Sequence, residues 1–500
     1  MESTLTLKRT KGGLVLAVLA ALGAITYFAF YIAFYSSYPA DDAFIHLRIA
    51  RHFAENGVPY YNLGERVNGS SSLLWTVLLS TLFKLFGVST TLLPLLEWLL
   101  AVGCFALCAL LLRERYSWPI SVAAAFVVIT VFLLNTASLW METPAAIFFF
   151  LLSVLFLRRE TSLWAGFFAG LAFLTRLEFG LWLLIAFFAC TGISKKKSYL
   201  CGAAFPLLFF VVYNSYYFGS LIPNTVFAKS KIYPIEQSHF WYLFGIHQWL
   251  GFALFFACFI QLLLLRKQKA APWLVALSLF SIALPVLYFV KKTYMFPWYM
   301  PLILCPMSLV FLLATSLKRL PLSVCYMLST TIFFVLALKE AVGLVQNRPS
   351  RHRDYLACER VRQYQRIGKT LYRQFPNATL MTSEIGGLGW TFEGKIADGA
   401  GLVSPQFLKY QPVPVPLNRG DHALGAIPPD AVREAKPDLI VSMDIFSEAF
   451  RRDLKRRQFP EYKLWRSYPA VEIDGVAPIL RVSVSTEVYI HQRLQIQNSP

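Results

Sequence analysis

Long uncharged apolar runs, separated by short basic clusters, restrict this chain more than any other feature of its sequence. Residues 13–35 contain no charged side chain and follow Lys8, Arg9 and Lys11. A helix crosses a bilayer in roughly 20 residues, so this run is long enough to span. No small-residue cleavage site follows a shorter apolar core, and the segment reads as a retained anchor rather than a signal peptide. Further spans are expected near 92–112, 119–134, 145–157, 162–175, 179–193, 199–217, 239–265, 272–290, 298–317 and 321–343. With 56% hydrophobic and 15% charged residues, an ordinary soluble enzyme is excluded. The formal charge of +19 would suggest nucleic acid in a soluble chain, but here the basic residues sit between apolar runs, as the positive-inside rule requires. Cys104, Cys108, Cys190, Cys201, Cys258, Cys305 and Cys325 lie in apolar runs and only Cys358 falls in a polar stretch, which builds neither a disulfide framework nor a zinc site.

Residues 73–87 decide the sidedness of everything that follows. If they do not cross, Arg113/Arg115, Arg158/Arg159, Lys195 to Lys197, Arg266/Lys267/Lys269 and Lys318/Arg319 all fall on the side of the N-terminus. If they do cross, every one of these clusters is outside. The stretch therefore reads as an amphipathic or re-entrant surface helix, which leaves about eleven spans and an outside C-terminal region. From 344 to 500 charge, Pro and Gly return. Strand-like runs (ATLMT, DLIVSM, ILRVSV) alternate with helix-like ones (RVRQYQRIGKTLYRQF, FSEAFRRDLKRRQ), as in a water-facing mixed α/β domain. The expected division is thus a polytopic α-helical membrane domain over 1–343, including the outer loop 36–91, and a soluble domain over 344–500.

That first outer loop, SSYPADDAFIHLRIARHFAENGVPYYNLGERVNGS, carries the sharpest chemical signal. Asp41 and Asp42 stand where a span ends and a helix-like stretch begins. One carboxylate can take a proton from an acceptor hydroxyl while its neighbour orients the group or helps bind a cation. The same pair could equally cap the following helix and complement its dipole. His46, Arg48, Arg51 and His52 recur at helical spacing. Their basic face suits either a lipid-linked phosphate or anionic head groups, and their spacing forms no zinc site.

Three more ionisable residues lie beside spans, where they are costly and default to function. Glu142 occurs in METP, and Arg176 with Glu178 in LTRLEFG. A substrate site and an Arg–Glu staple between helices both fit them. Lys229 and Lys231, in LIPNTVFAKSKIY, suit a phosphate clamp or simple snorkelling.

Taken together, DDAFIHLRIARHFAENG…YNLGERVNGSSSLLW, METP, LTRLEFG, LIPNTVFAKS and SEIGGLGWTFEGKIADGAGLVSP resemble the GT-C superfamily of polyprenyl-phosphate-sugar-dependent membrane glycosyltransferases. The similarity is greatest to the bacterial cell-wall arabinofuranosyltransferase branch. Only islands between about 38 and 405 match, and Leu177 stands where an LTRPE-type motif has Pro. The resemblance implies a GT-C-like fold and a polyprenyl-phosphate sugar donor. It also implies a glycan, lipid or protein acceptor, and transfer on the non-cytoplasmic face of a bacterial inner membrane. Asp41 and Asp42 match the family's catalytic acids, and His46, Arg48, Glu142, Arg176, Glu178, Asn224 and Lys229 are expected around the substrates. No cofactor is required, although some relatives hold a divalent cation at the acidic loop.

A sugar on a lipid phosphate already has a good leaving group. The protein must then position a hydroxyl, remove its proton and stabilise the departing phosphate. Asp41 is expected as base with Asp42 assisting, Arg176 and Lys229 as phosphate partners, and inversion as the outcome of one displacement. A transporter or flippase and a non-catalytic envelope scaffold remain as rival readings. No half-to-half hydropathy repeat supports the first. The glycines at 386, 387 and 389 lack the spacing of a nucleotide loop and read as a turn.

Overall fold

The computed structural model describes residues 11–36, 39–232, 240–267, 271–314, 352–413, 426–469 and 484–497. The expected span at 321–343, the Lys318/Arg319 cluster and Cys325 lie outside the described residues. In chain order the helices are α1 (Lys11–Tyr35), α2 (Asp41–Asn56), α3 (Leu73–Phe86), α4 (Leu93–Leu112), α5 (Trp118–Val128), α6 (Leu134–Ala137), α7 (Thr143–Arg158), α8 (Ser162–Thr175), α9 (Gly180–Ala189) and α10 (Ile193–Phe218). They continue as α11 (Asn224–Ile232), α12 (Gln248–Lys267), α13 (Pro272–Val290), α14 (Met300–Ala314), α15 (His352–Gln374), α16 (Gly387–Thr391), α17 (Pro429–Ala435), α18 (Glu448–Lys455) and α19 (Gln492–Gln497). The chain divides into two compact units, Met1–Ser37 with Thr90–Phe209 and Ser238–Ser350, and Tyr38–Ser89 with Phe210–Gln237 and Arg351–Pro500. This grouping differs from a division at 343/344, because the first loop belongs with the C-terminal residues.

The first unit is helical. Among the described residues, four helices of the chain are long and apolar enough to cross a membrane: Gly12–Tyr35, Leu93–Leu112, Ile193–Phe218 and Pro272–Val290. Trp118–Leu133, Thr143–Arg158, Ser162–Thr175, Leu177–Ala189, Trp249–Leu263 and Pro297–Leu313 are apolar but shorter. Small residues allow close helix contact, as lipid-embedded helices require where no aqueous hydrophobic force joins them. A Cβ on Gly166 would collide with the Tyr199 carbonyl, and one on Gly202 with that of Leu163, so α8 and α10 meet backbone to backbone. Phe150 packs on Phe179, Trp182 and Phe280 at centroid separations of 5.2, 5.0 and 5.2 Å. The Trp182 Nε1–H donates to Ser153 Oγ at 2.9 Å, so this ring's one polar atom is satisfied inside the apolar cluster.

The second unit is built on a five-stranded sheet of order β2-β1-β3-β5-β4, with β1 Leu380–Thr382, β2 Ile396–Asp398, β3 Leu439–Met443, β4 Tyr462–Pro469 and β5 Ser485–His491. β1 pairs in parallel with β2 and β3, and β5 runs antiparallel to β3 and β4. Side chains alternate between the two faces of a strand. Leu380, Leu439, Val441, Val488 and Ile490 accordingly pack with Tyr364, Ile367 and Leu371 of α15, while Met381, Ile440 and Tyr489 pack with Val432 and Phe450. The α15 side of this core also takes in Ile45 and Ile49 of α2 and Ala228 and Ile232 of α11. The first loop is therefore part of the sheet's own hydrophobic core.

α3 has 14 residues. At 1.5 Å per residue that is about 21 Å, short of a hydrocarbon core of about 30 Å. It packs on α2, and Phe83 meets Trp390 at 6.3 Å. The C-terminal strands expected at ATLMT and DLIVSM are β1 and β3, and the two expected helices are α15 and α18. ILRVSV lies almost wholly outside the described residues.

Candidate functional site

The acid pair opens α2. The residue preceding the helix is Ala40, and no side chain makes a capping hydrogen bond there. A cap alone therefore does not explain the pair, although two acids in a first turn still complement the helix dipole. Asp41 instead accepts two backbone N–H bonds from the glycine turn, Gly386 to Oδ2 at 3.0 Å and Gly387 to Oδ1 at 2.8 Å. Such an approach excludes a side chain: a Cβ on Gly386 would strike the Asp41 carbonyl oxygen and come within 2.6 Å of its Cγ. Burial pushes the Asp41 carboxyl up to about 7; the nearby Glu384 adds to this, and Arg360 and the Gly387 amide oppose it. Arg360 itself pairs with Glu384 at 2.9 Å. Asp42 lies more open, with its Oδ2 3.4 Å from Lys229 Nζ.

The basic residues of α2 behave differently from a free phosphate-binding face. Arg48, 1% exposed, donates from Nε to the Tyr61 carbonyl at 2.9 Å and from its terminal nitrogens to the carbonyls of Gly389, Phe392 and Gly394. Its guanidinium also lies 4.6 Å from the Tyr61 ring centroid. Arg48, expected at the substrates, thus ties α2 to the Tyr61 carbonyl and to the 389–394 turn. His46 is buried with Nδ1 3.1 Å from Ser70 Oγ. Arg51 reaches Glu393 at 3.2 Å and covers the Trp390 ring at 4.7 Å. His52 hydrogen-bonds the Tyr60 carbonyl at 2.8 Å, and burial lowers its pKa to about 4.

α11 brings Lys229 to Asp42 while Ala228 and Ile232 enter the core. Asn224, at the start of α11, donates from Nδ2 to the carbonyls of Gly401 and Leu402 at 2.9 and 2.7 Å. This residue, expected among the substrate ligands, is thus joined to the 398–403 turn. That turn is gathered by Asp398, whose oxygens accept the amides of Ala400 and Val403, each at 2.9 Å. Sequence reading missed Asp398, Gly386 as Asp41's partner, and Arg360. The signal present in the sequence was the dense Gly content around 386–401.

Glu142, Arg176 and Glu178 meet within the first unit. α8 ends at Thr175, and the extended backbone of Arg176 (φ −147°) turns its side chain back onto the end of α7. Nη1 reaches Glu142 Oε1 at 2.5 Å, Nη2 and Nε reach Glu178 at 2.6 and 3.3 Å, and the guanidinium lies 4.2 Å from the Tyr299 ring centroid. Arg176 is 4% exposed. Of the two readings open for this residue, a substrate site and an Arg–Glu staple, these contacts with two carboxylates favour the staple. Glu97, fully buried on α4, was also missed; its signal was a lone acid inside LPLLEWLL. The acid pair and the Arg176 cluster belong to different units.

As for the divalent cation, no group of three or more His, Cys, Asp and Glu side chains suited to a metal occurs among the described residues. Asp41 is turned to backbone amides and Asp42 to Lys229. This arrangement does not fit a metal.

No protein-family model and no curated protein matches the chain. Solved structures do. ArnT from Cupriavidus metallidurans bound to undecaprenyl phosphate shares 12% identity at a TM-score of 0.55, over 96% of this chain and 98% of that one. The Archaeoglobus fulgidus oligosaccharyltransferase in complex with Zn and sulfate shares 12% identity at a TM-score of 0.51, covering 91% and 72%. The same organism's AglB, in complex with an inhibitory peptide and a dolichol-phosphate, matches at a TM-score of 0.50 with 12% identity, covering 87% and 69%. The chain therefore has the GT-C fold that these structures share.

Proposed function

We propose that this chain transfers a sugar from a polyprenyl-phosphate carrier to a hydroxyl acceptor, with Asp41 as general base and Lys229 at the carrier phosphate. The observation that carries this reading is the setting of Asp41, a carboxylate fixed by two amides and raised to about 7. A base so tuned is deprotonated in a large fraction of molecules at neutral pH and still basic enough to take a proton. Accepting one N–H on each oxygen leaves lone pairs for the incoming proton.

In the reaction the acceptor hydroxyl gives its proton to Asp41 as its oxygen forms a bond to the anomeric carbon. The bond from that carbon to the phosphate oxygen breaks, and its electron pair leaves on the polyprenyl phosphate. One displacement inverts the configuration. Lys229 exchanges Asp42 for the phosphate and offsets the charge that develops there. Arg176, held by Glu142 and Glu178, takes no part in this step.

A lipid-phosphate donor is supported by the fold shared with ArnT bound to undecaprenyl phosphate and AglB bound to a dolichol-phosphate. The motif resemblance makes arabinofuranose the first sugar to test, with an envelope glycan, lipid or protein as acceptor. The basic clusters support a site on the non-cytoplasmic face of a bacterial inner membrane. The test is turnover of polyprenyl-phosphoryl arabinofuranose by the full chain in liposomes, beside its Asp41→Asn variant. Equal transfer by both would remove Asp41 as base.

A further inference from the structure

Lys229 reaches the acid pair because of where α11 starts, and the start of α11 is fastened on two sides. The Asn224 side chain holds the Gly401 and Leu402 carbonyls at 2.9 and 2.7 Å, while its backbone N–H donates to the Asn68 carbonyl at 3.0 Å. Both anchors are themselves fixed. Asn68 Nδ2 donates to Asn214 Oδ1 at 2.7 Å, and the 398–403 turn is closed around the buried Asp398. Five residues beyond Asn224, about one and a half helical turns, Lys229 stands 3.4 Å from Asp42.

We propose that Asn224 is a positioning residue for substrate binding: through its two hydrogen bonds to the 398–403 turn it sets the register of α11, and with it the place of the Lys229 ammonium beside Asp42. The chemistry requires such a device. A lysine is a point charge on a flexible stem, so its effectiveness at a phosphate depends on where its backbone is held. Ala228 and Ile232 pack α11 into the core, but apolar packing tolerates the small slides that a directional pair of hydrogen bonds resists. An amide at 224 also suits the contact in a way a carboxylate would not, because both partners are carbonyl oxygens and only a donor satisfies them.

This inference rests on the reading of Lys229 as the phosphate partner, and a double-mutant cycle separates the two. The probe is undecaprenyl phosphate, and its affinity for the full chain in detergent is measured for the parent, Asn224→Ala, Lys229→Ala and the double variant, with melting temperature recorded for each. Asn224→Ala should weaken binding about 10-fold in the parent and leave it unchanged in the Lys229→Ala background. Asn224→Asp, which keeps the size but loses the donors, should match Asn224→Ala, and Asn224→Gln, which keeps the donors, should recover part of the loss. An equal loss from Asn224→Ala in both backgrounds, or a lowered melting temperature with unchanged affinity, overturns the positioning role while Lys229 stands. Lys229→Ala with parental affinity overturns the phosphate assignment and this inference with it.

Discussion

Asp41 Oδ1 accepts the backbone N–H of Gly387 at 2.8 Å, joining residues 346 positions apart. A general-base candidate from the first loop is thereby oriented by a turn near the start of the sheet. Its charge state and its aim depend on residues that no local reading of DDAFIHLRI includes.

Asp41→Asn should lower turnover by roughly 100-fold or more at equal expression, the usual range for loss of a positioned base. Asp42→Asn should be harmful chiefly through Lys229. For the parent, activity should climb through about pH 7 as the Asp41 carboxyl loses its proton, then level off. The same shift sets a stability trend: the folded value lies above the ordinary 3.8, so folding takes up a proton between about 4 and 7. This group's contribution to stability therefore falls as pH rises through that window. A flat activity profile from pH 6 to 8, in assays limited by the transfer step, would contradict the assignment.

Gly386→Ala should act like a partial loss of Asp41, because the added methyl would collide with that residue's backbone. Turnover should drop at least 10-fold. Gly57→Ala, at the left-handed end of α2 with open space around it, should cost a little stability and leave turnover near parental. Turnover and melting curves of the two variants check the contrast.

Arg176→Ala should destabilise the protein by about 3 kcal/mol or more, as expected when one partner of a buried ion pair is removed. Thermal melting in detergent measures this. Affinity for undecaprenyl phosphate, measured on the fraction that remains folded, should stay near parental. A large loss of affinity with an unchanged melting temperature would return Arg176 to the phosphate.

Single cysteines at Glu55 and Lys463 should both react with a membrane-impermeant thiol reagent from outside the cell, since their segments belong to one compact unit. One at Arg115, in a basic cluster, should react only after the membrane is opened. Opposite labelling of Glu55 and Lys463 would contradict a shared side for the three segments.

The sequence revealed what depends on period and charge. Apolar runs marked α1, α4 and α13 almost to the residue. It was silent on partnerships between distant segments. Arg48 and Arg176 looked like phosphate ligands because an arginine beside an acid or an aromatic has the same local sequence whether its donors are free or spent. Their partners, the carbonyls at 389–394 for one and Glu142 for the other, are fixed only by tertiary packing. The strands β2, β4 and β5 were missed as well: β2 has three residues, β4 is largely exposed and carries no clean alternation, and β5 begins just after the expected ILRVSV run ends.

The second unit draws on three stretches of chain, with Tyr38–Ser89 made early and Arg351–Pro500 made last. At roughly 5–20 residues per second of synthesis, the acid pair emerges tens of seconds before the glycine turn that orients it exists. During that interval Ile45 and Ile49 have no sheet to cover them, and Asp41 has neither its amide partners nor its raised proton affinity. A nascent chain therefore lacks the Asp41 setting on which the proposed transfer rests until the last stretch of the second unit has been made.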